Sequence, residues 1–172
     1  MDEILKGKRI LIVDDEADIL ETLAEMLDMC FVDTAPNYET AKKFLSKNTY
    51  DAAILDIMGV RGYDLLKLTK EKDVPALMLT AHALSPDNLV KSIRGGAQSY
   101  VPKDKISEIT IFLADILRYR EKGIEKQGTW FAKLKPFFDK KFGSGWRKEH
   151  KEFWKDFDET YHVSKEDVEK LL

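Results

Sequence analysis

A chain of 172 residues with 44% hydrophobic and 34% charged side chains has the balance of a globular protein, with room for one domain and a small appendage. Its net charge of −3 excludes wholesale attraction to nucleic acid or an anionic membrane, and no apolar run approaches the roughly 18–20 residues that span a bilayer. The single cysteine, Cys30, rules out an internal disulfide, fits a cytoplasmic setting and reads as a small buried apolar residue.

The opening MDEILKGKRILIV has a short apolar run that ends in acids, so Arg9–Val13 is a strand rather than a signal peptide. A helical face of Leu20, Leu23, Ala24 and Leu27 follows, then a brief strand at 31–34 and a second face of Ala41, Phe44 and Leu45. Ala52–Leu55 is the third strand, and Leu65, Leu66 and Leu68 mark the third helix. After a strand at 76–79, Ser85-Pro86 caps a helix carrying Leu89, Val90 and Ile93, which stops at Gly95-Gly96. A fifth strand at 99–101 leads to a helix with Ile106, Ile109, Leu113 and Leu117. Near-continuous apolar strands alternating with amphipathic helices predict an α/β fold, a doubly wound open parallel sheet covered on both faces.

The composition changes after this alternation, so we divide the chain into residues 1–122 and a helical C-terminal extension, 123–172. All three tryptophans lie in the extension. Trp130, Leu134 and Phe138 predict a short helix strained or interrupted at Pro136. Trp146, His150, Phe153, Phe157 and Tyr161 recur at helical spacing on one face, beyond a break at Gly143-Ser144-Gly145, and Ser164 to Asp167 resembles a capping start. So much aromatic surface calls for cover: a fold back onto the first unit, or an interaction or dimerisation element. A minimal DNA-binding tail is a further reading, but 13 Lys/Arg against 11 Asp/Glu from Tyr119 onward is hardly a basic footprint.

The chemistry-bearing residues stand at the strand ends. Asp14, Asp15 and Glu16 follow the first strand, Asp56 the third, Thr80 the fourth and Lys103 the fifth. In a parallel sheet they gather at one edge, where open α/β sheets carry their sites. Taken singly, the Asp14-Asp15 pair could cap a helix, Asp56 could form a turn and Lys103 could be a solvated surface charge. Together, converging carboxylates repel one another until a hard cation such as Mg²⁺ relieves them. A metal, an ammonium group and a hydroxyl around one carboxylate suit attack on phosphorus to give an acyl phosphate.

The segments ILIVDDEADIL, AAILDIM, PALMLTA and GAQSYVPK, in this order and spacing, resemble the receiver domain of two-component response regulators over about residues 7–120. The resemblance implies a flavodoxin-like sheet of strand order 2-1-3-4-5 and a phosphoryl group accepted on Asp56. It implies Mg²⁺ bound by Asp56 and Asp15, by Asp14 through a water, and by the Met58 carbonyl. Thr80, Lys103 and the Ala81 amide would contact the phosphoryl oxygens, and Tyr100 would be the aromatic switch. The implied donor is a sensor histidine kinase or phosphotransfer protein. The implied output is through a downstream protein or a homodimer, using the fourth helix, fifth strand and fifth helix (residues 86–120) or the extension. Such a protein signals rather than catalyses turnover beyond its own phosphorylation and dephosphorylation.

Two departures from that pattern stand out. The loop after Asp56 is about two residues short and lacks a Met-Pro element, which predicts a tighter turn beside Met58. Lys103 is followed by Asp104 rather than proline, so a trans bond is expected there, while Val101–Pro102 is open to either isomer. His82 near the site reads as a solvated loop residue, and His150 and His162 show no nearby ligand set. A haloacid-dehalogenase-type phosphatase would place its nucleophile after the first strand in an Asp-x-Asp arrangement, which this chain lacks. An FMN carrier would need a phosphate-cradling loop where Asp14-Asp15-Glu16 stands.

Overall fold

The computed structural model describes residues 3–163. The capping start expected at Ser164 to Asp167 lies outside the described residues.

The strands are β1 Arg9–Val13, β2 Phe31–Ala35, β3 Ala52–Leu55, β4 Ala76–Thr80 and β5 Ser99–Pro102. All pair in parallel in the order β2-β1-β3-β4-β5, the expected doubly wound sheet. Central β1, β3 and β4 are buried almost throughout, which is why their sequences read as unbroken apolar runs. Val13 pairs with Leu55, and Leu55 with Met78, so the residues after β1, β3 and β4 emerge at one edge.

The connecting helices are α1 Ala17–Met26, α2 Tyr38–Lys47, α3 Gly62–Glu71, α4 Pro86–Arg94 and α5 Ile109–Glu121. Asn37 and Ser85 cap α2 and α4 by accepting bonds from the Thr40 and Asn88 amides. A 3-10 helix, Lys103–Glu108, separates β5 from α5, so Ile106 precedes the α-helix proper. Every peptide bond among the described residues is trans, including Val101–Pro102 and Lys103–Asp104. Cys30 is half-buried and its thiol donates to the Leu5 carbonyl at 3.2 Å, a more polar setting than the sequence suggested.

The extension comprises α6 Thr129–Phe142, a 3-10 turn Trp146–His150 and α7 Lys151–Thr160. Two expectations are corrected. First, of the strain or interruption expected at Pro136 the interruption does not occur, and α6 runs unbroken through it. The missing amide forfeits one backbone bond, but the helix buries Trp130, Phe131, Leu134 and Phe138, and that burial prevails. Second, the aromatic helix expected from Trp146 to Tyr161 is divided, because His150 is the non-helical N-cap of α7 at φ −124°. Gly143 and Gly145 adopt φ 88° and 74°, turning the chain ahead of the 3-10 segment. The buried face of α7 is accordingly Trp154 and Phe157, with Phe153 half-buried.

These helices lie over β5, α4 and α5. Phe138 meets Tyr100 of β5 with ring centroids 6.1 Å apart, and Lys133 Nζ reaches Asp115 Oδ2 of α5 at 2.7 Å. His150 Nε2 lies 2.8 Å from Asp87 Oδ1 in the first turn of α4. The aromatic side chains join the sheet's apolar residues in one continuous core. Burying Trp130, Phe131, Phe138, Trp154 and Phe157 contributes about 1.5–3 kcal/mol each, so the extension is firmly held.

Candidate functional site

The carboxyl edge of the sheet brings Asp14, Asp15 and Asp56 together, with one carboxylate oxygen from each within 4.8 Å of the others. Asp14 and Asp56 are buried, while Asp15 is exposed. Asp14 Oδ1 accepts from the Glu16 amide at 2.9 Å, and no side chain caps α1. The first acid therefore braces the turn after β1 and leaves Oδ2 facing the site. Asp56 Oδ1 accepts from the Ile57 amide at 2.8 Å.

Lys103 reaches this cluster from the far side of the sheet, at the start of the 3-10 helix after β5. Its ammonium lies 2.9 Å from Asp14 Oδ2, 2.8 Å from Glu16 Oε2 and 3.4 Å from Asp56 Oδ2. Glu16 is the partner that sequence reasoning did not assign. Its only signal was its place directly after the acid pair.

Burial pushes the Asp56 carboxyl up to about 6, and the charge of Asp14 adds to the rise against the pull of Lys103. Burial likewise raises Asp14. Burial opposes the charge on Lys103, but Glu16, Asp14 and Asp56 outweigh it and hold the ammonium above its usual range. The hydrogen bond from Lys103 lowers Glu16. Two buried acids raised by desolvation form a pocket that favours cationic company.

The short loop after Asp56 is tight, as expected. Gly62 N–H donates to the Ile57 carbonyl at 3.0 Å, and any side chain at Gly62 would run into the Asp56 carbonyl. Gly59 adopts φ 83°, and a Cβ there would strike the Asp15 carboxylate. Only glycine lets this backbone approach Asp15 so closely. Met58, between Asp56 and this turn, has an exposed side chain. The oxygen-only donor set and the glycine cradle beside Asp15 fit a hard divalent cation such as Mg²⁺.

Thr80 is fully buried at the end of β4 and its hydroxyl accepts from the Ala83 amide at 3.2 Å. Ala81 follows, exposed at the mouth of the site. His82 is solvated, as expected, with Nε2 3.8 Å from Glu16. Tyr100 is fully buried on β5; its hydroxyl donates to the Ala83 carbonyl at 2.9 Å and accepts from the Ser85 amide at 3.3 Å. The expectation that His150 has no ligand set is corrected, since Asp87 and Glu149 stand beside it. Glu149 adjoins His150, but Asp87 is 63 residues away from His150, and only the docking of the extension brings it to them.

The model of the response regulator receiver domain family matches residues 10–113, ending before α6. The chain is 32% identical over 126 residues to the two-component response regulator ARR10 of Arabidopsis thaliana, covering 69% of this chain and 23% of that protein. It is 34% identical over 114 residues to the heme response regulator HssR of Staphylococcus aureus, covering 63% of this chain and 50% of that protein. It thus spans half or less of these relatives' length. A CheY-like receiver domain protein from Methanospirillum hungatei superimposes with TM-score 0.58 at 26% identity, covering 69% of this chain and 99% of that one. The non-phosphorylated HemR receiver domain of Leptospira biflexa gives 0.57 at 33%, covering 64% and 94%. The family model covers more than half of the chain and the solved receiver domains share its fold, so the chain belongs to the response regulator receiver domain family.

Proposed function

We propose that the protein is a phosphorylation switch in which Asp56 accepts a phosphoryl group from a sensor histidine kinase or phosphotransfer protein. The observation that carries this reading is the convergence of Asp14, Asp15 and Asp56 with Lys103 Nζ bridging Asp14 and Asp56. The unit that carries it is residues 1–122, and residues 123–172 form the appended output segment. It acts in the cytoplasm, as a signalling protein rather than an enzyme with a substrate to turn over.

Asp56 Oδ2 faces Lys103, whereas Oδ1 is held by the Ile57 amide, so Oδ2 is the attacking atom. It forms a bond to phosphorus as the bond from phosphorus to the donor histidine nitrogen breaks, and the leaving imidazole takes up a proton from solvent. Lys103 offsets the charge of the equatorial oxygens, and the Ala81 amide donates to them. Thr80 exchanges its bond with Ala83 for one to the phosphoryl group. Asp14, Asp15, Asp56 and the Met58 carbonyl would hold Mg²⁺, which neutralises the acids and lets a dianionic group approach.

Incubation with Mg²⁺ and acetyl phosphate tests this. The wild type gains a phosphoryl mass that hydroxylamine removes, and Asp56→Asn gains none. An undiminished adduct on Asp56→Asn, or none on the wild type, refutes the assignment.

A further inference from the structure

The surface of α4, β5 and α5 is not bare in this chain. Residues 124–163 cover it and bond to each of its elements. His150 meets Asp87 of α4 at 2.8 Å, Lys133 meets Asp115 of α5 at 2.7 Å, and Gln127 Nε2 donates to the Gln98 carbonyl beside β5 at 2.9 Å. Arg94 of α4 lies 5.1 Å from the Phe153 ring centroid, and the Tyr119 hydroxyl of α5 lies 2.8 Å from Thr129 Oγ1. The central contact is aromatic: Tyr100 against Phe138, which in turn stacks on Phe142 at 5.5 Å and packs against Trp146 at 6.2 Å.

This contact is continuous with the acid site. Thr80 Oγ1 holds the Ala83 amide, the Ala83 carbonyl holds the Tyr100 hydroxyl, and the Tyr100 ring rests on Phe138. If Thr80 turns toward a group on Asp56, it releases Ala83, whose other polar atom positions Tyr100. Tyr100 is fully buried, so its ring cannot shift without displacing Phe138. The buried aromatic layer holds the extension far more strongly than a phosphoryl switch can pull it away. The extension therefore adjusts in place and is not shed.

We propose that the C-terminal segment is the resident partner of the α4-β5-α5 surface, and that the Tyr100–Phe138 contact passes the state of Asp56 to it. The signal is then read from the extension, because the face beneath is occupied. This rests on the assignment of Asp56 as acceptor. Phe138 acts here as a positioning residue.

The tryptophans supply the test, since Trp130, Trp146 and Trp154 all lie in the extension and residues 1–122 have none. Full-length protein is treated with Mg²⁺ and acetyl phosphate, and adduct mass and tryptophan emission are followed in parallel. Wild type gains the adduct and its emission changes, while Asp56→Asn shows neither. Phe138→Leu and Tyr100→Phe still gain the adduct, but their emission change falls to half or less. By reciprocity, Phe138→Leu shifts the beryllofluoride concentration for half-effect at least roughly five-fold. Tyr100→Phe keeps the ring and removes only the tether to Ala83 and Ser85, so it serves if Phe138→Leu fails to fold. An adduct with unchanged emission, or a full emission change in both folded variants, overturns the proposal and leaves Asp56 as acceptor intact. Absence of any wild-type adduct overturns both.

Discussion

Removing the charge of Asp56 should stabilise the protein, and the gain should depend on pH. The Asp56 carboxyl is buried beside Asp14, and its pKa is raised from 3.8 to about 6. Ionising it in the folded state is therefore harder than in the unfolded chain. Below 3.8 the group is protonated in both states and contributes nothing against folding; as pH rises through about 6 the penalty builds to its full size. The shift of about 2 units corresponds to on the order of 3 kcal/mol, with the attraction of Lys103 already included. For a protein of 172 residues this is a rise in Tm of about 6–12 °C. The assay is thermal or urea unfolding of wild type and Asp56→Asn, without divalent cations, from pH 4 to pH 8. Asn should be more stable at pH 8, and the two should converge toward pH 4. Equal stability at pH 8, or a difference that does not change with pH, would refute burial and repulsion at Asp56 as the dominant electrostatics of the site.

Mg²⁺ should compete with the proton at Asp56, so its affinity, followed by calorimetry, should fall as pH drops below about 6. Gly59→Ala forces a Cβ toward Asp15 from φ 83°; it should lower the melting temperature by an amount equivalent to about 1–3 kcal/mol and weaken Mg²⁺ binding at least ten-fold. Phe138→Ala empties a fully buried site between β5 and the 3-10 turn and should cost about 3–5 kcal/mol in urea denaturation. The His150–Asp87 pair is partly exposed, so a double-mutant cycle with alanines should return about 0.2–1 kcal/mol, less at high salt.

The fold was legible because burial on two faces leaves a simple trace. Ile10, Leu11, Ile12 and Val13, or Ala52 to Leu55, admit no polar residue, and each run stops where the chain reaches the edge. The same trace placed Asp14, Asp56 and Thr80, since the residue that ends a parallel strand is placed by the sheet itself. Lys103 followed from the same logic, but its bond to Glu16 depends on how far a flexible side chain reaches, and no spacing encodes that. The extension was less legible. Helical periodicity reveals that a segment has an apolar face but not what the face covers, so contact with Tyr100 could not be read from it. Pro136 misled because a local backbone rule was weighed without the burial of Trp130, Phe131, Leu134 and Phe138, which overrides it. His150 looked isolated because Asp87 is 63 residues away.

The docking of α6 on β5 also bears on how the chain is made. Synthesis proceeds from the amino end, so the sheet and α1 to α5 emerge before Trp130, Phe138 and Trp154. During that interval Tyr100 and the apolar flank of β5 lack their eventual cover, and β5 is an open sheet edge. The nascent protein thus passes through a stage with an adhesive side, at which neighbouring chains on a polysome can meet edge to edge. Chains cut short before residue 129 keep that side permanently, and they are the species that chaperones and proteases would be left to clear.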